Sequence, residues 1–161
     1  MEDKCILLDT SFFIRLLNDQ DPLHTNTLGY YRHFLEKENR LKCSTISVAE
    51  YCVRGKIEEL PLKNLEILPF NLRHAVTAGE FANAVFTQRN TLTLSNRAVI
   101  PNDSKLFAQA NVETEIDYFA TSDTECIKVF NLLNEKFSLK FKIINIREPF
   151  SSVLGILPFQ S

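Results

Sequence analysis

Four carboxylates in this chain stand where alternating strands and helices would gather them: Asp9, Glu50, Asp103 and Asp123. Asp9 stops the apolar run Ile6 to Leu8 and is followed by two hydroxyl residues, Thr10 and Ser11. Glu50 falls in the first turn of a helix starting near Ser47, and Asp103 opens a helix after Pro101 and Asn102. Asp123 ends a strand two residues beyond Thr121. In an open parallel sheet the carboxyl ends of the strands and the starts of the helices after them border one crevice. Carboxylates gathered there repel and raise one another's pKa unless a cation sits among them. Oxygen donors without Cys or His select a hard ion, Mg2+ or Mn2+. Such an ion positions a water, lowers its pKa and stabilises the charge on a phosphodiester under attack. The chemistry that suits this set is phosphoryl hydrolysis.

Each acid taken singly also has a simpler reading. Ser47-Val-Ala-Glu50 is a complete capping box, Ser122 with Glu125 makes another around Asp123, and both Asp9 and Asp103 are placed to cap helices. What favours chemistry is the recurrence of acids at equivalent places in successive strand–helix units.

Those units follow from the hydrophobic pattern. Cys5 to Leu8 is a short continuous apolar run, the mark of a strand buried on both faces, and the period changes at Phe12, Phe13, Leu16 and Leu17 to that of a helix. After the turn cluster Asn18 to Pro22, a second helix is expected from about Thr25, with Leu28, Tyr31, Phe34 and Leu35 on one face. Leu41 to Ile46 reads as a second strand, Ser47 to Gly55 as a helix closed by its glycine, and Glu66 to Pro69 as a third strand cut short by proline. The clearest helical spacing begins at Asn71 and runs through Leu72, Ala75, Val76, Gly79, Ala82, Asn83 and Phe86. Gln88 to Ala98 is polar, without period, and reads as a loop. Leu106, Phe107 and Ala110 face inward from the Asp103 helix; Ile116 to Ala120 and Lys142 to Asn145 are the last strands, with the helix of Ile127, Phe130, Leu133 and Phe137 between them. The expectation is an α/β fold with a central, mostly parallel sheet of about five strands and helices on both faces, a Rossmann-like three-layer arrangement. Residues 1–161 read as one domain. Residues 146–161, with Phe150, Val153, Leu154, Ile156, Leu157 and Phe159, form an apolar tail that must pack on the core or on a partner.

Bulk properties narrow the classes. Hydrophobic residues at 45% and charged residues at 24% are ordinary for a globular protein and exclude disorder. A net charge of −2 argues against holding long nucleic acid by phosphate neutralisation alone, so such a partner would be gripped locally or through metal ions. The four cysteines form no C-x-x-C pair and read as small buried hydrophobes in a reducing compartment. The three histidines have no metal-ligand spacing, which argues against zinc. With no apolar run long enough for a signal peptide or a membrane span, a cytoplasmic location is expected. A dinucleotide-binding domain is disfavoured because the turn after the first strand lacks glycine. A haloacid-dehalogenase-like phosphatase would want a second aspartate at position 11, where this chain has serine.

Four motifs carry a resemblance: Ile-Leu-Leu-Asp9-Thr-Ser-Phe-Phe-Ile14; Ile-Ser-Val-Ala-Glu50-Tyr with Gly55 after it; Ile-Pro-Asn-Asp103-Ser-Lys-Leu-Phe-Ala-Gln-Ala110; and Ala-Thr-Ser-Asp123. In order and spacing they resemble the acidic motifs of PIN-domain ribonucleases, nearest to the small VapC-like toxins, across Ile6 to Asn145. Ile67-Leu-Pro-Phe-Asn-Leu with Ala75, Ala78 and Gly79 resembles the helix start these proteins carry between the second and third acids. The resemblance implies a Mg2+- or Mn2+-dependent endoribonuclease acting on single-stranded RNA, with Asp9, Glu50, Asp103 and Asp123 as catalytic metal ligands, direct or through water. It implies that Thr121 and Ser11 orient ligands or water from behind them. It further implies an antitoxin protein as partner in a toxin–antitoxin pair, a homodimer, and no membrane association. The chain departs from the pattern in its longer Gln88–Ile100 segment and in lacking a further aspartate just after Asp123, where only Glu125 is near. The alternative is a PIN-fold interaction module without catalysis. Lys105, Arg54, Lys56, Arg89 and Arg97 are cations near the motifs, and none is singled out for substrate binding.

Overall fold

The computed structural model describes residues 3–88 and 101–153. Five strands form one all-parallel sheet: β1 (Cys5–Leu8), β2 (Arg40–Ser44), β3 (Glu66–Leu68), β4 (Tyr118–Thr121) and β5 (Lys142–Asn145), in the spatial order β3-β2-β1-β4-β5. From β1 the chain steps outward through β2 to β3, then crosses to β4 on the other side of β1. The strand order therefore reverses between β1 and β4, and a crevice opens at their carboxyl ends.

Alternation along β1 divides the interior in two. Ile6 and Leu8 face the layer of α1 (Thr10–Leu16) and α2 (His24–Glu36), where Phe12, Phe13, Tyr30 and Phe34 are fully buried. Leu7 faces α4 (Leu72–Gln88), α5 (Asn102–Val112) and α6 (Thr124–Phe137), where Phe107, Phe119, Phe130 and Phe141 pack ring against ring. Offset and edge-on aromatic pairs of this kind add about 0.5–1.5 kcal/mol each beyond area burial, which gives the abundance of phenylalanine a structural use. The short α3 (Thr45–Tyr51) lies at the carboxyl end of β2, and α7 (Phe150–Val153) packs on α2. Asn26 Nδ2 donates to the carbonyls of Ile146 and Glu148, and its Oδ1 accepts from Phe150 N, so the chain leaving β5 is tied to α2. The tail expected at 146–161 thus has Ile146 in the core and the Phe150 ring against Tyr30, while residues 154–161 lie outside the described residues.

Three elements differ from the sequence pattern. On α2 the buried positions are Thr27, Tyr30, His33 and Phe34, whereas Leu35 is exposed. On α4 the core takes His74, Ala78, Phe81, Ala82 and Val85, and the apolar positions Leu72 and Val76 point to solvent. Of the stripe that marks this helix in the sequence, the core takes Ala82 and leaves Leu72 and Val76 outside. His74 fits because both its nitrogens are satisfied: Nδ1 accepts from Asn71 N, and Nε2 meets Glu113 Oε1 at 2.8 Å. Cys52 is the one exposed cysteine, against three that are buried as expected.

Gly55 also acts otherwise than its position suggests. The helix ends at Tyr51, and Gly55 N bonds to Tyr51 O at 2.9 Å without the left-handed φ of a glycine cap. What requires glycine is space, since a Cβ there would come within 2.4 Å of the Tyr51 ring. Gly55→Ala is expected to cost about 1–2 kcal/mol through overpacking. A fall in the denaturant midpoint at constant slope would register it, and an unchanged midpoint would show that the ring moves freely.

Candidate active site

The register of the sheet places Asp9. Leu8 pairs with Ala120 across the β1–β4 ladder, and Asp9 N continues it by donating to Ala120 O at 3.0 Å. The Asp9 side chain is therefore level with Thr121 and lies almost wholly buried at the switch point. Its Oδ1 accepts from Thr10 N at 2.8 Å, and its Oδ2 accepts from Ser11 Oγ and Thr121 Oγ1, both at 2.7 Å. The two hydroxyls are fixed in turn by backbone donors: Ser122 N to Ser11 Oγ, and Asp123 N to Thr121 Oγ1, each at 3.0 Å. Ser11 and Thr121 thus hold Asp9 from behind.

Glu50 is not part of a capping box. Helix α3 begins at Thr45 with Ser44 as its cap, so Ser47 lies within the helix and Glu50 is free to turn towards the crevice. Its Oε2 accepts from Thr10 Oγ1 and its Oε1 accepts from Asn102 Nδ2 at 2.6 Å. Asn102 is itself held by Lys105 Nζ, which donates to Asn102 Oδ1 at 3.1 Å.

Asp103 lies in the first turn of α5, but the cap position belongs to Pro101, and among the described residues no side chain caps this helix. Helix α5 is anchored from below by the fully buried Gln109, whose Oε1 accepts from Ser44 Oγ and whose Nε2 donates to Leu68 O at 3.2 Å. Asp123 does cap its helix: its Oδ1 accepts from Glu125 N at 2.8 Å and Cys126 N at 3.3 Å. Capping therefore accounts for Asp123 and for one oxygen of Asp9, and fails for Glu50 and Asp103.

All four acids line one open cavity of about 830 Å³. Burial, and after it the charges of Asp9, Asp123 and Glu50, push the Asp103 carboxyl up to about 6. Burial raises Asp9 as well, against the lowering effect of its hydrogen bonds. The buried Cys126 thiol, facing Asp103, is raised for the same two reasons, burial first and neighbouring carboxylates second. Such a set has the chemistry and the uncompensated charge to take a hard divalent cation. Among the described residues, however, no three His, Cys, Asp or Glu side chains are arranged to hold an ion as they stand. Beside the acids the lining has the apolar Ile14, Leu17, Tyr51 and Val53, together with Asn18, a fifth carboxylate, Glu59, and Arg54, which is the one cation in it among the described residues.

The sequence reading did not single out Thr10 or Asn102 as partners of Glu50. Both contacts cross between elements far apart in the chain, and only their adjacency to motif acids hinted at them. Lys105 reaches Asn102 rather than the open cavity, and Arg89 and Arg97 lie outside the described residues. If the cavity takes Mn2+ with Glu50 as a ligand and Asn102 aims it, Asn102→Ala should weaken that binding by about ten- to a hundredfold, the usual cost of removing an outer partner of a metal ligand. Mn2+ titration followed by thermal shift measures it; an unchanged midpoint would show that Thr10 alone suffices.

An all-parallel sheet with this strand order, helices on both faces and a carboxylate-lined crevice at the switch point is the three-layer α/β architecture of PIN domains. No protein-family model and no curated protein matches the sequence. Among solved structures, the chain superposes on VapBC2 from Rickettsia felis, bound to a DNA fragment from their promoter, with a TM-score of 0.55. The identity is 22%, over 88% of this chain and 98% of that one. The DNA-bound VapBC from Salmonella typhimurium gives the same TM-score at 17% identity, over 91% of this chain and 99% of that one. At these identities the likeness is one of fold. Among the described residues no helix is long and apolar enough to cross a membrane.

Proposed function

We propose that this protein is a metal-dependent endoribonuclease that hydrolyses phosphodiester bonds of single-stranded RNA and is held in check by an antitoxin protein. The observation that carries the reading is the meeting of Asp9, Glu50, Asp103 and Asp123 in one cavity at the β1–β4 switch point, with Asp103 raised first by burial and then by the other three. These four carboxylates would hold Mg2+ or Mn2+, which when bound supplies a water of lowered pKa and positive charge opposite the phosphate. Ser11 and Thr121 fix the orientation of Asp9, and Thr10 and Asn102 fix that of Glu50. The apolar side chains of Ile14, Leu17, Tyr51 and Val53 give bases or a partner's side chains a surface beside the acids. An antitoxin partner is suggested by the two neighbours in fold, which are VapBC complexes.

The second reading is an interaction module of the same fold without catalysis. It is favoured by the carboxylates not being arranged, as they stand, to hold an ion. Incubation of the full chain with a labelled single-stranded RNA, in Mn2+ and in chelator, separates the two. The nuclease cuts only with Mn2+, and Mn2+ raises its melting temperature by mass action. No cutting together with a melt indifferent to Mn2+ would leave the silent module.

A further inference from the structure

Ser122 lies between Thr121, which holds Asp9, and Asp123, and all of its polar groups are taken by residues far away in the chain. Its N donates to Ser11 Oγ, its carbonyl accepts from Arg147 Nε at 2.6 Å, and its Oγ accepts from Arg15 Nε at 3.5 Å. One almost fully buried residue thus ties two guanidinium groups to the hydroxyl that steadies Asp9.

The two arginines are not equivalent. Arg15 is half-buried and ion-paired with Asp21, whose other oxygen accepts from Leu23 N at 2.8 Å. Arg147 is exposed and, although Asp21 lies close enough to feel its charge, it is in no ion pair among the described residues. Its own N donates to Asn145 Oδ1 at 3.1 Å, so the side chain leaves from a fixed point. With Nε anchored on a carbonyl, the Nη1–Nη2 edge remains, and neither nitrogen has a partner among the described residues. A guanidinium fork held by one edge suits the bidentate geometry of a phosphate at the other.

Position gives that edge a use. Arg147 follows the carboxyl end of β5, the strand beside β4, and so stands on the same edge of the sheet as the four acids. The cavity holds five carboxylates and, among the described residues, one cation, Arg54, which follows α3 on the β2 side of β1. One or two divalent ions do not outweigh five carboxylates, so the phosphates flanking the one being cut need cations of their own. For a strand laid across the ends of β1 and β4, Arg54 stands on one side and Arg147 on the other.

We propose that Arg147 binds an RNA phosphate next to the one cleaved, through its two free Nη donors, with Arg15 adding charge from across Ser122. The contact rests on the nuclease reading and locates the grip that a chain of net charge −2 must make locally.

Steady-state cleavage of a labelled single-stranded RNA by the full chain in Mn2+, repeated over a range of salt concentrations, tests it. Arg147→Ala should raise KM about tenfold or more, the worth of a hydrogen bond to a charged group, and leave kcat nearly unchanged. The slope of log KM against log salt should fall by about 0.7, the share of one single-strand phosphate contact. Arg147→Lys should recover that slope but only part of the KM, since a point charge lacks the fork. The Mn2+-induced rise in melting temperature should be the same in all three proteins. Wild type that cuts, with Arg147→Ala matching its KM and salt slope, would overturn the phosphate contact and leave the nuclease reading standing. Loss of kcat and stability in both variants at an unchanged slope would also overturn it, leaving Arg147 a brace for Ser122. Wild type that cuts nothing would overturn the nuclease reading and this contact with it.

Discussion

Asp9→Asn is expected to lower Mn2+-dependent RNA cleavage by about a thousandfold or more and to abolish the Mn2+-induced rise in melting temperature, with little change in the stability of the metal-free protein. Loss of a single group that stabilises a transition state already costs roughly 10²–10³ in rate, and Asp9 stands at the carboxyl end of β1, held by Thr121 at the end of β4. The stability half of the expectation comes from its surroundings. Asp9 is buried as an acid whose pKa is raised, so folding carries the cost of desolvating its charge, and asparagine removes that cost. The amide keeps an oxygen for Thr10 N and turns its nitrogen to Ser11 and Thr121, whose hydroxyls have lone pairs to accept. Cleavage and thermal shift on the two proteins, with circular dichroism to check folding, read both halves. Undiminished cleavage by Asp9→Asn would remove Asp9 from the site, and a variant that no longer folds would make Asp9 structural.

The legible parts of this chain are those where local pattern and tertiary environment ask for the same residues. The strand Cys5 to Leu8 is buried on both faces, and a continuous apolar run says so; the aspartate after it lies where the run stops because the sheet stops there. Helix α5 follows its periodicity because Leu106, Phe107 and Ala110 all face the core. Helix α4 misleads for a physical reason. It has two apolar sides, and the one with the more regular spacing is the outer one, since the core accepts a histidine once Asn71 and Glu113 satisfy it. Glu50 misleads in another way: Ser47 and Glu50 spell a capping box, but Ser44, at the end of β2, takes the cap first. Local chemistry permitted both starts, and the pairing of β2 with β1 and β3 decided between them. The hydrogen bonds that orient the acids, Thr10 to Glu50 and Asn102 to Glu50, join residues 40 and 52 positions apart and have no local signature.

The second large effect is on stability, and its sign depends on metal. Asp103→Asn is expected to stabilise the protein in chelator at neutral pH. In the folded chain the Asp103 carboxyl is held at about 6, against an ordinary value of 3.8 in the unfolded chain, first by burial and then by the charges of Asp9, Asp123 and Glu50. A raised acid makes the folded state the better proton binder, so its favourable contribution is complete below pH 4 and is lost as pH climbs through 6. A shift of about two units corresponds to roughly 3 kcal/mol, or a melting temperature several degrees lower at pH 7.5 than the uncharged side chain would give. Metal-free wild type should therefore lose stability between about pH 4 and 6.5, and Asp103→Asn should flatten most of that slope. The residual slope would come from Asp9, raised in the same direction and titrating together with its neighbours. Saturating Mn2+ should reverse the order, stabilising wild type while leaving the variant nearly unmoved, because a cation removes the repulsion that asparagine removes by subtraction. A helix cap behaves differently: losing one costs about 0.5–2 kcal/mol whether or not metal is present. Melts of the two proteins at pH 4.5 and 7.5, in chelator and in Mn2+, give four differences. Curves for Asp103→Asn that lie below wild type in all four conditions would make Asp103 a structural residue rather than a member of the acidic site.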